Sequence, residues 1–198
     1  MWEHPDSALS ILRSMPQSSL SIGKNYATWA LLLAQARDKV YGKRLPDSLN
    51  IPSSDKLVQD AMDYFEKEGD LKRMAQTYYY KGQLLKDQKK ITEAMPFFLK
   101  SKEMMTKLDE PLFTYLICQS LGNMYRYQDL YEESLVQLKD AYQYALRSGN
   151  GERISYALSE LGRTYVHKNE MDSALFYFGK SLDNAQRLGN IELEAMAM

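Results

Sequence analysis

The stretch that decides the fold runs from Leu158 to Phe178. Within it Leu158, Leu161, Gly162 and Tyr165 fall at i, i+3, i+4 and i+7, which is one face of a helix. A polar break follows, His167-Lys168-Asn169-Glu170. Asp172 then offers a carboxylate able to cap a second helix, in which Ala174, Phe178 and Ser181 share a face. Two helices joined by a short polar turn read as an antiparallel hairpin.

Working outward, the same pattern recurs. Cys118, Leu121, Gly122 and Tyr125 lead to Ser134, Leu138 and Ala141; Tyr78, Lys81, Gly82 and Leu85 lead to Ala94, Phe98 and Ser101. Gly82, Gly122 and Gly162 stand 40 residues apart. A second series keeps the same period: Gly69-Asp70, Asp109-Glu110, Gly149-Asn150 and Gly189-Asn190. Two interleaved series with one period mark one supersecondary unit, repeated. Small residues at Gly82, Gly122 and Gly162, and opposite them at Ala94, Ser134 and Ala174, let the helices of each pair approach closely.

Leu161-Gly162-x-x-Tyr165 followed by Ala174-x-x-x-Phe178 resembles the tetratricopeptide repeat. Leu121-Gly122-x-x-Tyr125 is a second copy, and Gly82 with Ala94 and Phe98 a third. The resemblance implies an all-α protein, a right-handed α-solenoid of stacked antiparallel helix pairs. The period of 40 residues exceeds the typical 34 of that family. Glycine-to-small spacing is constant, so the reading places the added residues after the small position, lengthening the second helix. Such elongated repeats are similar to those of bacterial regulators and sensors.

The expected layout is a single solenoid over 1–198. It comprises an incomplete helix at 5–15 and a degenerate repeat at 24–69 with an internal loop, Leu45 to Pro52. Full repeats follow at 71–108, 111–148 and 151–188, then the start of a further helix at 191–198. Asp6-Ser7-Ala8-Leu9 copies Asp172-Ser173-Ala174-Leu175. Abrupt ends at Met1 and Met198 read as those of an excised fragment, with Ala195, Met196 and Met198 left as apolar surface. A Pro-Asp-Ser-Ala-Leu start ahead of Tyr-rich repeats is similar to bacterial envelope-associated repeat proteins. That resemblance implies a periplasm-facing place in the cell envelope, with the cytoplasm as the alternative.

Composition narrows the function. The chain has 198 residues, 44% hydrophobic, with 25 basic and 26 acidic side chains. This balance suits a globular fold and disfavours a binder of nucleic-acid backbone. No apolar run approaches a membrane span; the longest is Trp29 to Ala34. One cysteine, Cys118, and two histidines, His4 and His167, argue against thiolate or histidine metal sites. No glycine-rich nucleotide loop or nucleophile elbow is present. Cys118 reads as a small buried hydrophobe. The expectation is a non-catalytic protein with no metal and no cofactor.

The resemblance implies that first helices line a concave groove, and the glycine register counts the positions that would face it. Tyr79 and Gln119 precede the central pair, Gln83, Asn123 and Arg163 follow the glycine, and Lys86 and Arg126 come a turn later. Tyr127 and His167 complete the run, and the degenerate repeat contributes Arg37. Arg37, Lys86 and Arg126 share one slot, forming with Arg163 a ladder of cations suited to carboxylates. The plainer alternative is a solvated face, since Asp38 and Asp87 lie beside the cations. The family's carboxylate clamp is matched in part, by Asn123. The partner expected is a protein or peptide bearing acidic side chains or a free carboxylate. The parent would be a larger bacterial regulatory protein, this region serving sensing or assembly. The other reading is a structural self-association module, a homodimer through the C-terminal end.

Overall fold

The computed structural model describes residues 5–15, 23–40 and 54–197. These are helical almost throughout, and among them there is no strand. The elements are α1 (Pro5–Ser14), α2 (Lys24–Val40), α3 (Ser54–Glu68), α4 (Leu71–Asp87), α5 (Ile91–Lys107), α6 (Pro111–Tyr127), α7 (Tyr131–Ser148), α8 (Gly151–His167), α9 (Met171–Leu188) and α10 (Ile191–Ala197). The expected loop from Leu45 to Pro52 lies outside the described residues, as do Met198 and the side chains of Asp38 and Met196. The chain divides into two compact units, Met1–Met104 and Met105–Met198.

The two sequence series are the punctuation of the helices. Gly69, Gly149 and Gly189 end helices with φ of 70°, 65° and 63°, a left-handed conformation natural to glycine. The next residue then caps the following helix: Asp70 and Asn150 accept from the backbone N–H groups of Arg73 and Arg153, at 3.1 and 3.0 Å. Asn190 does the same for Leu193 at 3.2 Å. Asp109 holds the left-handed slot without being glycine, and Pro111, pre-set for helix, opens α6. Asp172 does not cap α9: the N-cap is Glu170, without a side-chain bond, and Asp172 sits in the first turn. There its charge faces the helix dipole.

The added repeat length is shared rather than given to second helices alone. Beyond Ser134, α7 runs to Ser148, and α8 begins at Gly151, well before Gly162. Both helices of a pair are therefore long.

In the Met1–Met104 unit, Trp29 Nε1 donates to the Leu12 carbonyl at 2.8 Å, joining α2 to α1. Tyr26 donates to Asp60 at 2.8 Å, joining α2 to α3. Burial, then this carboxylate, pushes the Tyr26 phenol up to about 12. Ser101 donates to the Ala75 carbonyl at 2.7 Å, between α5 and α4. Gly82 faces Phe98 so closely that a Cβ would lie 3.0 Å from the ring.

The Met105–Met198 unit repeats these devices. Gly122 and Gly162 face Leu138 and Phe178, where a Cβ would lie at 2.6 and 2.7 Å. Ser181 donates to the Ser155 carbonyl at 2.9 Å, the counterpart of Ser101 on Ala75. Leu135, Leu138 and Leu161 form one apolar cluster, bordered by Tyr142, Tyr165 and Tyr177. Tyr165 and Tyr177 stack at 5.3 Å. A second cluster holds Tyr115, Cys118, Ala141, Ala145 and Ala157. Cys118 is thus a buried core residue.

Candidate functional site

The sequence register places Gln119, Asn123 and Arg126 at i, i+4 and i+7 of α6, hence on one helix face. Glu160, Arg163 and His167, at i, i+3 and i+7, share a face of α8. The two faces meet at Arg126 and Glu160. Arg126 Nη2 lies 2.7 Å from Glu160 Oε2, and both side chains are 8% exposed. The contact is close, yet this Oε2 takes no aligned hydrogen bond, so charge joins them more than bond direction. Arg126 Nη1 donates to the Glu160 carbonyl at 3.3 Å and the Thr164 hydroxyl at 3.4 Å.

Arg163 completes a triad. Its Nη1 donates to Glu160 Oε1 at 2.8 Å, while 44% of its side chain stays exposed. One carboxylate is therefore held between two guanidiniums, leaving one net positive charge that Arg163 presents to solvent. The exposed ring of Tyr127 lies 6.0 Å from the Arg126 guanidinium, at the far reach of a cation–π contact. Asn123 is half-buried, and its Oδ1 is buried without a partner. Gln119 is half-buried beside it. Tyr115 lies a turn earlier in α6; burial pushes its phenol well above the ordinary range, with Arg153 opposing and Glu160 adding to the shift.

Other expected site residues sit differently. Tyr79 is buried rather than presented to a groove. It packs edge-on to Tyr80 at 5.0 Å and Phe98 at 5.6 Å, and its hydroxyl accepts from Gln83 Nε2 at 2.7 Å. All three tyrosines of the 78–80 cluster are buried. Gln83 is half-buried, with its Oε1 unpartnered. Lys86 is half-buried in the last turn of α4. Arg37 is half-buried, and burial and then the charge of Arg13 push its guanidinium below its usual value. These four belong to the Met1–Met104 unit. His167 is exposed and stacks on Tyr131 at 6.0 Å. The cation ladder is thus not a row of equivalent solvent-facing charges: Arg126 is an interior ion-pair partner, and only Arg163 of the triad faces outward.

Glu160 was missed by the register argument. The signal was its slot: one before Leu161-Gly162, where earlier repeats carry Tyr80 and Ser120. A carboxylate in a slot otherwise filled by buried residues needs a cation across from it.

The buried hydroxyls of Ser159 and Ser181 lie 2.8 Å apart and bond α8 to α9, while that of Thr164 donates within α8 to the Glu160 carbonyl at 2.9 Å. Among the described residues no group of histidine, cysteine and carboxylate side chains could hold a metal. Nor is any helix long and apolar enough to cross a membrane.

No family model matches the chain, and no curated protein does. Solved structures do. Aspartyl phosphate phosphatase F from Bacillus subtilis superposes with a TM-score of 0.79 at 16% identity, covering 98% of this chain and 52% of that one. The apo form of RapI gives 0.78 at 18% identity, covering 98% and 69%. A signal transduction ATPase with a tetratricopeptide repeat sensor, from Pyrococcus horikoshii, gives 0.77 at 17% identity, covering 98% and 29%. This chain therefore spans about half of the phosphatase and under a third of the ATPase. Likeness at these identities establishes the fold: an all-α, tetratricopeptide-type solenoid of stacked antiparallel helix pairs.

Proposed function

We propose that this chain is a non-catalytic protein-interaction scaffold, the sensing or assembly part of a larger regulatory protein. In this reading α6 and α8 take a peptide or protein segment whose acidic side chain or terminal carboxylate lies on Arg163. The carrying observation is Glu160, a carboxylate already held between Arg126 and Arg163. A site that accepts one carboxylate in its interior has the charge to take a second at its exposed arginine. Gln119, half-buried on the same face of α6, offers a peptide backbone hydrogen bonds, and Tyr127 and His167 offer aromatic contact area. The likeness to a repeat sensor and to RapI supports a regulatory setting.

Titration of the chain with fluorescent acidic peptides, beside peptides with Gln and Asn in place of Glu and Asp, tests this. Acidic peptides should bind at least tenfold tighter, and affinity should fall with salt. Arg163→Glu should abolish the preference, and Arg163→Lys should weaken it, since ammonium lacks the guanidinium fork. Equal binding of both peptide sets, or an unchanged preference in Arg163→Glu, would sink the proposal.

A further inference from the structure

A guanidinium presents two edges to an anion, Nη1 with Nη2 and Nη2 with Nε. Glu160 occupies Nη1 of Arg163 at 2.8 Å, and among the described residues this is the one bond Arg163 makes to the protein. The Nη2–Nε edge is left open on a side chain that is 44% exposed. The slot is open also where a following helix is in place: its counterpart Asn123, on α6 with α8 beside it, is half-buried rather than buried. Glu160 is held from its other side by Arg126, at 2.7 Å with both side chains 8% exposed. Swinging Glu160 away from an arriving ligand would therefore break that interior pair as well. An anion on the open edge of Arg163 must sit beside a fixed negative charge.

We propose that Glu160 sets the specificity of this site, admitting a single carboxylate and turning away a phosphomonoester. This rests on the reading of Arg163 as the anchor of the ligand and names what that anchor selects. At a separation of about 6 Å in water, Glu160 weakens binding roughly threefold for each unit of negative charge on the ligand. A carboxylate meets that repulsion once. A phosphomonoester, close to doubly charged at neutral pH, meets it twice, for roughly tenfold. Its dehydration also costs more, because solvation free energy rises with the square of the charge. Against this the triad offers one net positive charge, enough to neutralise one carboxylate. Glu160 is thus a positioning residue: it acts on the ligand through Arg163 and through its own fixed charge.

Isothermal titration of the full 198-residue chain with matched peptides tests this. Their central residue is Glu, Gln, phosphoserine or the methyl ester of phosphoserine, which keeps the tetrahedral phosphorus but carries one charge. Glu and the methyl ester should bind alike, and phosphoserine at least threefold more weakly. Glu160→Gln, checked for helical circular dichroism, should tighten Glu about threefold and phosphoserine about tenfold. Arg126→Met/Glu160→Leu removes one charge of each sign, and should bring the ratio of the two back toward that of the wild type. A merely structural role for Glu160 would move both affinities together and leave their ratio alone. The methyl ester needs no variant, so the test stands even if Glu160→Gln unfolds. Glu and Gln peptides bound equally would overturn the anchor reading and this inference together. With Glu preferred over Gln, phosphoserine bound as tightly as Glu would overturn this inference alone. So would a ratio that folded Glu160→Gln leaves unchanged.

Discussion

The guanidinium of Arg126 on α6 lies 2.7 Å from the carboxylate of Glu160 on α8, and neither side chain is more than 8% exposed. Removing one charge from such a pair strands the other away from water, a cost of roughly 3–5 kcal/mol, whereas replacing both with apolar residues of similar size is often neutral. Glu160→Gln and Arg126→Met should each lower stability by about 3 kcal/mol in urea unfolding followed by circular dichroism. The double variant Arg126→Met/Glu160→Leu should recover most of that loss. Additive losses in the double variant would mean that the two charges are not coupled across the helices.

The repeat frame was legible because glycine records backbone needs directly. Gly122 marks a close approach and Gly149 a left-handed turn, and both needs are local. The candidate site was legible only in part. Tyr79 and Gln119 occupy the same register slot, yet Tyr79 is buried among Tyr80, Phe98 and Gln83 while Gln119 is half-buried. Register fixes the direction of a side chain and says nothing of what fills the space ahead of it. Arg126 shows the same limit, since its partner comes from another helix pair 34 residues on.

Asp70 should make the stability of the Met1–Met104 unit acid-sensitive. Its carboxylate caps α4 through the Arg73 N–H at 3.1 Å and pairs with the Arg73 guanidinium at 2.9 Å. Burial pushes its carboxyl up, but the bonds and charge of Arg73 outweigh this and hold it below its ordinary value. A lowered pKa means that the folded state favours the charged form. The contribution is present above the ordinary carboxylate value and disappears as pH falls through the lower, folded one. Asp70→Ala should cost about 1 kcal/mol at neutral pH. Asp70→Asn should retain most of the cap and lose the pH dependence. Melting curves at pH 7 and in the range below 4 would show an unchanged acid slope in Asp70→Asn if other groups are responsible.

The close approach at Gly122 sets a steric prediction. An added methyl would sit 2.6 Å from Leu138 Cγ, inside a fully buried cluster. Overpacking of this kind costs roughly 1–3 kcal/mol, partly offset by alanine's helix propensity of about 1 kcal/mol over glycine. Gly122→Ala should therefore destabilise the Met105–Met198 unit, and Gly122→Ala/Leu138→Val should recover part of the loss by making room. Urea midpoints decide it. A stabilised Gly122→Ala would show that propensity, not packing, governs the site.

The hairpin turns give a ranking rather than a single value. Lys89, Asp129 and Asn169 occupy one slot of successive repeats, with φ of 61°, 60° and 59°. This left-handed conformation costs a side chain with a Cβ roughly 1–2 kcal/mol, and asparagine less, because its short amide tolerates it. Glycine removes the strain but adds freedom to the unfolded chain, about 0.5–1 kcal/mol in the other direction. The backbone bond from the Lys89 N–H to the Lys86 carbonyl, 2.9 Å, survives the change. Lys89→Gly should then stabilise by up to about 1 kcal/mol, and Asn169→Gly should be close to neutral. Thermal melts of the two variants compare strain at one backbone geometry with the side chain as the variable. Equal gains at both positions would locate the strain in the turn itself and not in the lysine.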